Sequence, residues 1–247
     1  MIGGSRDRTA LVVAAALLLV LAGCGTGPST GGTASVQSAS PTCVSRVTAD
    51  CSAYTYSSPG RGTVVVTAPK STGGNNREFF WAPGGPSGPD LTVCARFEDG
   101  SGSDQQGVVL RLEHFAGGRV AAVTVTRNVW AGAFDVFNYH VWNTRADPGK
   151  PFIQFGSTVI PVLPVAPAVY PLHLCARTLS DRVEFVVWTD GQARPAWGST
   201  TQGGAATIPA AAPSNGQGGW FAGHLRPGTS MTYDDLSVDG TVAAGLP

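Results

Sequence analysis

The chain has 247 residues, 16 basic and 16 acidic side chains, and only 13% charged residues overall. Such a neutral surface carries no electrostatic footprint for nucleic acid or for anionic lipid. Glycine (33) and proline (18) are abundant and no stretch has capped helical periodicity, which argues against a helical bundle and for a turn-rich β-protein.

In chain order, Arg6 and Arg8 precede an apolar run, Ala10–Leu21. The run is shorter than the roughly 20 residues a membrane-spanning helix needs, so it reads as a processed signal. It ends in Leu21-Ala22-Gly23-Cys24, which resembles a bacterial lipobox. The resemblance implies that residues 1–23 are removed and that Cys24 becomes the first mature residue and carries the lipid. It further implies a protein anchored on the extracytoplasmic face of the cell membrane. Lys70 and Lys150 are the only lysines among the 16 cations, a bias resembling proteins of GC-rich genomes such as those of actinobacteria. Residues 24–42 are rich in Gly, Ser, Thr and Ala without a charge, a flexible tether with a reach on the order of 25 Å. Residues 43–247 form one domain.

Within that domain the runs expected as strands are Thr63–Ala68, Glu78–Ala82, Leu91–Glu98, Gly107–Phe115, Arg119–Trp130 and Phe137–Thr144. They continue with Phe152–Phe155, Tyr170–Leu179, Arg182–Thr189, Gly219–Leu225 and Ser230–Val238. Punctuation such as Pro83-Gly-Gly-Pro86, Asp99-Gly-Ser-Gly102 and Asp190-Gly191 separates them. Many short strands with no helix between them imply two packed antiparallel sheets. The Ala- and Pro-rich stretches Pro161–Pro171 and Ala205–Pro213 read as surface crossings.

Besides Cys24 there are Cys43, Cys51, Cys94 and Cys175. In an exported protein an even set reads as disulfides, and four cysteines allow three connectivities. Cys94 and Cys175 hold matching phases in the similar strands Leu91-Thr-Val-Cys-Ala-Arg96 and Leu172-His-Leu-Cys-Ala-Arg177. This favours Cys94–Cys175, with Cys43–Cys51 closing a small loop. A metal site would want a Cys-x-x-Cys or neighbouring histidine spacing, which the sequence lacks.

The C-terminal third, through Leu172–Arg177, Arg182-Val-Glu-Phe-Val-Val-Trp-Thr-Asp-Gly191, Gly219-Trp-Phe-Ala-Gly223 and Tyr233-Asp-Asp-Leu-Ser-Val238, resembles the concanavalin A-like lectin/glucanase superfamily. That resemblance implies an all-β, two-sheet antiparallel jelly-roll sandwich of the kind shared with laminin-G-like domains. It also implies a concave sheet face on which glycans lie, and it brings calcium as the one cation to consider. The sandwich hosts lectins, glycosidases, adhesion modules and structural domains alike, so fold alone does not choose among them.

Alternation sorts side chains between the two faces of each strand. Leu91, Val93, Ala95 and Phe97 form one apolar set, as do Val108, Leu110 and Leu112, then Phe137, Tyr139 and Val141, then Val183, Phe185 and Val187. If the strands share one sheet, its other face gathers Arg96, Arg111, Glu113, Asn138, His140, Trp142, Arg177, Glu184 and Trp188. Sugar recognition uses such a mixture: aromatic rings stack on the apolar face of a pyranose while polar side chains bond its hydroxyls. The ligand set expected is therefore Trp142 and Trp188 with Arg96, Asn138, His140, Arg177 and Glu184, the arginines hinting at an acidic sugar. The competing reading is a solvated face of cross-strand Arg–Glu pairs.

A glycoside hydrolase or lyase needs two carboxylates at a defined separation. Glu113 and Glu184 are the only pair on that face, and no Glu-x-Asp-x-x-Glu motif of the superfamily's glucanases is present. No Gly-x-Ser-x-Gly elbow is present either. Asp99 and Asp104 in a Gly/Ser loop, with Asp234 and Asp235 on the last strand, are the residues to watch for a structural calcium, although Asp99–Asp104 lacks the EF-hand glycine and glutamate. No other cofactor is expected. The reading reached is a non-catalytic glycan-binding or structural interaction module of the envelope, with polysaccharide as partner. The alternatives are the hydrolase or lyase, a protein-binding adhesion module, and a lipid carrier, which would need a closed cavity on the order of several hundred Å³.

Overall fold

The computed structural model describes residues 37–38, 54–70, 76–82, 84–100, 104–116, 119–128, 136–146, 150–163 and 169–243. Cys24, Cys43 and Cys51 lie outside the described residues. Among the described residues there is no helix, and the strands are β1 (Gln37–Ser38), β2 (Thr55–Gly60), β3 (Thr63–Thr67), β4 (Arg77–Trp81) and β5 (Thr92–Phe97). They continue as β6 (Gln105–Phe115), β7 (Arg119–Asn128), β8 (Val136–Asn143), β9 (Phe152–Val159) and β10 (Leu172–Leu179). The last are β11 (Arg182–Thr189), β12 (Gly203–Thr207), β13 (Gln217–Gly223), β14 (Ser230–Val238) and β15 (Thr241–Val242).

They form two antiparallel sheets packed as a sandwich. A seven-stranded sheet has the order β1-β4-β13-β6-β7-β8-β9, and an eight-stranded sheet the order β12-β11-β10-β5-β14-β3-β2, with β15 beside β14. Each of the eleven runs expected from alternation is a strand, and β9 extends beyond its expected end to Val159. β12 departs from the expectation in part: its last three residues, Ala205–Thr207, open the stretch that reads from sequence as a surface crossing. Its residues, Gly-Gly-Ala-Ala-Thr, have almost no apolar alternation, and the strand exists because β11 supplies a ladder for it. A Cβ on Gly203 would sit 2.4 Å from the Phe185 carbonyl oxygen, so only glycine admits that pairing distance.

The core between the sheets is aromatic at its centre. Phe80 and Trp220 from the seven-stranded sheet meet Tyr233 of the eight-stranded one, with Phe80–Tyr233 centroids 5.1 Å apart and Phe97–Tyr233 5.3 Å apart. Each of these buried rings contributes about 1.5–3 kcal/mol. The polar tips are satisfied: Trp220 Nε1 donates to the Cys94 carbonyl at 2.9 Å and the Tyr233 hydroxyl to the Phe221 carbonyl at 2.7 Å. Cys94 and Cys175 stand directly opposite each other on β5 and β10 and form the expected disulfide.

One inward assignment changes. Arg111 has φ 52° and the β6–β7 register shifts between Leu110 and Glu113, a bulge that reverses the alternation. Leu110 faces the core between the sheets, whereas Leu112 joins a separate apolar cluster on the sheet's other side.

Candidate functional site

The strands bearing the expected ligand residues do not share one sheet. Arg96, Arg177, Glu184 and Trp188 sit on β5, β10 and β11 of the eight-stranded sheet, while Asn138, His140 and Trp142 sit on β8 of the seven-stranded one. The chemistry expected of a single face is divided between the two outer faces of the sandwich. Glu113, on β6, and Glu184, on β11, likewise belong to opposite sheets and do not face each other across one groove.

On the eight-stranded sheet the side chains form a continuous ladder. Arg96 donates to both oxygens of Asp190, at 2.8 and 3.2 Å, and also meets Glu98. His173 Nε2 lies 2.7 Å from the same aspartate and stacks on Trp188 with centroids 4.8 Å apart. The Arg96 bonds, with His173 second, pull the Asp190 pKa down to about 2. Arg194 then approaches Trp188 at 5.8 Å and Trp197 at 4.9 Å, and Arg177 approaches Trp197 at 4.4 Å. Arg177 finally donates to Glu184, with contacts of 2.7 and 2.8 Å. Arg194 and Trp197 belong to the connection between β11 and β12, so this ladder fastens that connection across the sheet.

The outer face of the seven-stranded sheet is different. On a flat sheet, four strand steps would separate Phe79 on β4 from Trp142 on β8 by about 19 Å. Their ring centroids are 5.2 Å apart. Arg77, five steps from Phe152, brings its guanidinium carbon to 5.3 Å from that ring and to 6.0 Å from Trp142. The sheet therefore coils until its two sides meet, and the hollow of its curve is filled by its own side chains: Phe79, Phe221 and Trp142, the last expected as a stacking ring, are each at most 1% exposed, while Phe152 is half-buried. Every apolar residue of the second cluster (Phe79, Trp81, Val109, Leu112, Val120, Ala122, Trp142 and Phe221, with Phe152 packed against them) comes from this sheet. Gly107 lies under the hollow, where a Cβ would meet the Val125 carbonyl oxygen at 2.5 Å.

Among these rings is a polar floor. Gln105 donates to Thr126 at 3.2 Å, Thr126 lies 3.5 Å from His140 Nδ1, and Trp142 Nε1 donates to Thr124 at 2.9 Å. Asn138 and His140 are each only 5% exposed. The Asn138 carboxamide has no hydrogen-bond partner among the described residues. Burial, reinforced by the Arg77 charge, lowers the His140 pKa to about 4, so its ring is neutral at physiological pH. Arg77 is half-buried, and its NH2 donates to His224 Nε2 at 3.3 Å. No carboxylate among the described residues pairs with it.

The remaining expected residues are dispersed. Arg111 is 5% exposed and is held by the carbonyls of Pro89 and Ser180, with Pro213 at 3.4 Å. It borders a cleft of about 360 Å³ among Pro89, Ser180, Ile208 and Ala212, apart from either face. Asp99 accepts from the Thr232 amide at 2.9 Å, and Asp234 from Thr63 at 2.7 Å and the Asp235 amide at 2.9 Å. Asp104 is buried at 3% exposure. Among the described residues no three His, Cys, Asp or Glu side chains converge as a metal site. Arg77, Phe79, Gln105, Thr126, Phe152 and Phe221 join this face without any motif to mark them in the sequence. All six alternate correctly on their strands, and only sheet order and curvature bring them together.

No family model matches the chain, and no curated protein matches it. In structure it is similar to the carbohydrate-binding module CBM66 from Bacillus subtilis, at 11% identity and a TM-score of 0.52, over 84% of this chain and 96% of that one. It is also similar to a protein of unknown function with galectin-like fold from Bacillus subtilis, at 13% identity and a TM-score of 0.49, over 76% and 90%. The VIP36 exoplasmic/lumenal domain, in its Ca²⁺/Man3GlcNAc-bound form, matches at 11% identity and a TM-score of 0.42, over 76% and 85%. The likeness to the first establishes the fold: an all-β, two-sheet antiparallel jelly-roll sandwich.

Proposed function

We propose that this protein is a lipid-anchored, extracytoplasmic glycan-binding module without catalytic activity, and that its ligand face is the hollow of the seven-stranded sheet. The anchor reading rests on Leu21-Ala22-Gly23-Cys24 behind a basic and apolar leader, with residues 24–42 as the tether and 43–247 as the displayed domain. The observation that carries the binding reading is the pair Asn138 and His140, each 5% exposed, beside the half-buried Phe152 ring on a face the inter-sheet core does not use. Hydroxyl-bonding amides and a neutral imidazole beside aromatic rings are what a pyranose requires. A fold shared with a protein named as a carbohydrate-binding module supports the same reading. The non-catalytic reading is supported by Glu184 being engaged with Arg177, on the sheet opposite Glu113.

The test is co-sedimentation of residues 43–247 with purified envelope polysaccharides, beside Asn138→Ala/His140→Ala and Trp188→Ala variants. Retention lost in the first variant and kept in the second is expected. Retention lost only with Trp188→Ala would move the site to the other face, and no retention of any of the three would remove the glycan reading.

A further inference from the structure

The arginines that the sequence offered as readers of acidic ligands already have partners. Arg96 holds Asp190, Arg177 holds Glu184, and Arg111 is wrapped by backbone carbonyls. Arg77 is the contrast. It projects over the hollow, half-buried, against Trp142 and Phe152, with His224 as its hydrogen-bond acceptor. A guanidinium keeps its charge under all ordinary conditions, and a charge withdrawn from water without a counter-charge is costly. Burial is the main influence on this group, and no carboxylate among the described residues offsets it. A second side chain in the same hollow keeps its bonding capacity for a ligand: the Asn138 carboxamide, 5% exposed, makes no side-chain hydrogen bond among the described residues and its polar atoms are not sealed from solvent.

We propose that the hollow selects an acidic sugar: Arg77 takes the carboxylate of a uronate residue, Asn138 and His140 bond its ring hydroxyls, and Phe152, the half-buried ring, covers its apolar face. This rests on the glycan-binding reading of the same hollow and adds the ligand's class to it. In the unliganded state Arg77 lies on the two rings, a modest cation–π contact. A bidentate pair with a carboxylate is stronger, so the ligand draws the guanidinium away and uncovers the Phe152 ring. Access is from the β9 side. β9 is the last strand of its sheet, and Phe152 is the hollow's half-buried ring. A neutral sugar would have to displace Arg77 with nothing to offer it.

The experiment is isothermal titration of the full-length protein with sodium polygalacturonate, with the same polymer after its carboxylates are reduced to primary alcohols, and with poly-glutamate. Arg77→Gln, Arg77→Lys and Asn138→Ala/His140→Ala are compared with the wild type after their thermal midpoints are checked. The expected result is that Arg77→Gln weakens polygalacturonate binding by at least roughly tenfold, the scale of one lost charged hydrogen bond. Arg77→Lys should fall between, and the reduced polymer should bind wild type no better than polygalacturonate binds Arg77→Gln. Equal binding of both polymers, insensitive to Arg77→Gln but lost in Asn138→Ala/His140→Ala, overturns the acidic selectivity and leaves the glycan site standing. Binding indifferent to Asn138→Ala/His140→Ala, or absent for both polymers, overturns the glycan reading of the hollow and this inference with it. Poly-glutamate binding as tightly as polygalacturonate overturns the sugar half and points to an acidic peptide.

Discussion

On the outer face of the eight-stranded sheet, Arg96 and Arg177 find Asp190 and Glu184, while Trp188 and Trp197 find His173, Arg194 and Arg177. In the hollow of the seven-stranded sheet, Arg77 finds only two aromatic rings and a histidine, and Asn138 finds no partner among the described residues. Both faces put aromatic and cationic side chains outside the inter-sheet core. One pairs Arg96 and Arg177 with carboxylates and lays Arg194 on the indoles of its own strand and connection. The other buries polar groups and leaves capacity unspent. Internal pairing marks a face built for its own stability, and unspent capacity inside a shielded hollow marks a face built for something else.

The largest effect expected from breaking this contrast is at Arg177. Glu184 is 5% exposed and both of Arg177's contacts go to one of its oxygens. The Arg177 side chain is 27% exposed but its removal strands a carboxylate side chain that is 7% exposed, so Arg177→Ala should cost about 2–3 kcal/mol in urea unfolding, at or below the low end for a fully buried pair. Adding Glu184→Gln should return most of that loss, because the stranded charge is then gone. A loss below about 1 kcal/mol would make the pair an ordinary exposed one and would dissolve the distinction between a locked face and an open one.

A somewhat smaller effect is expected from acid on the hollow. The folded state holds the His140 pKa near 4, against a usual 6.5, by burial first and the Arg77 charge second. Between those values the unfolded chain binds a proton that the folded chain refuses, so His140's contribution to stability falls as pH drops from 6.5 to 4 and levels off below, while Glu78, raised to about 8 by burial, contributes the opposite slope from 8 down to 4.5. At about 1.4 kcal/mol for each pH unit the His140 ceiling is about 3.5 kcal/mol, and relaxation of the hollow around a charged ring should leave about 2. The difference in thermal midpoint between wild type and His140→Gln should shift against the wild type as pH drops across that window, the Glu78 contribution being common to both. An unchanged slope in the variant would mean that His140 is solvated and the hollow open.

Much of the fold was legible because alternation is local. Val183, Phe185 and Val187 announce their face within one strand, and Cys94 and Cys175 announce theirs by shared phase. Sheet membership is not local. Whether β8 neighbours β7 or β11 is decided by contacts far apart in the chain, so Trp142 and Trp188, alike in sequence context, landed on opposite faces. The Arg111 bulge turned Leu112 away from the core by inserting one residue, which no period-two pattern records. Arg77 was invisible for a third reason. It opens its strand, and its partners Trp142 and Phe152 reach it only because the sheet coils. On the ladder face, Arg194 and Trp197 come from a connection with no periodicity, so their part in the structure has no signal in the sequence at all.

The smallest effect expected is at Trp197, and it bears on whether the two faces are independent. The indole is approached by Arg177 at 4.4 Å and Arg194 at 4.9 Å, and partly exposed cation–π contacts contribute about 0.5–1 kcal/mol each. Trp197→Ala should therefore cost about 1–2 kcal/mol, concentrated in the β11–β12 connection. Amide hydrogen exchange should quicken across residues 190–207, because β12 loses the clamp that holds its connection to the sheet, while β7 and β8 keep their protection. The His140 ring resonances should stay where they are. If they move, strain passes between the two outer faces through the Phe137–Phe185 contact in the core, where the centroids are 4.8 Å apart. The ladder would then help to set the shape of the hollow, and the locked face would be part of how the other one binds.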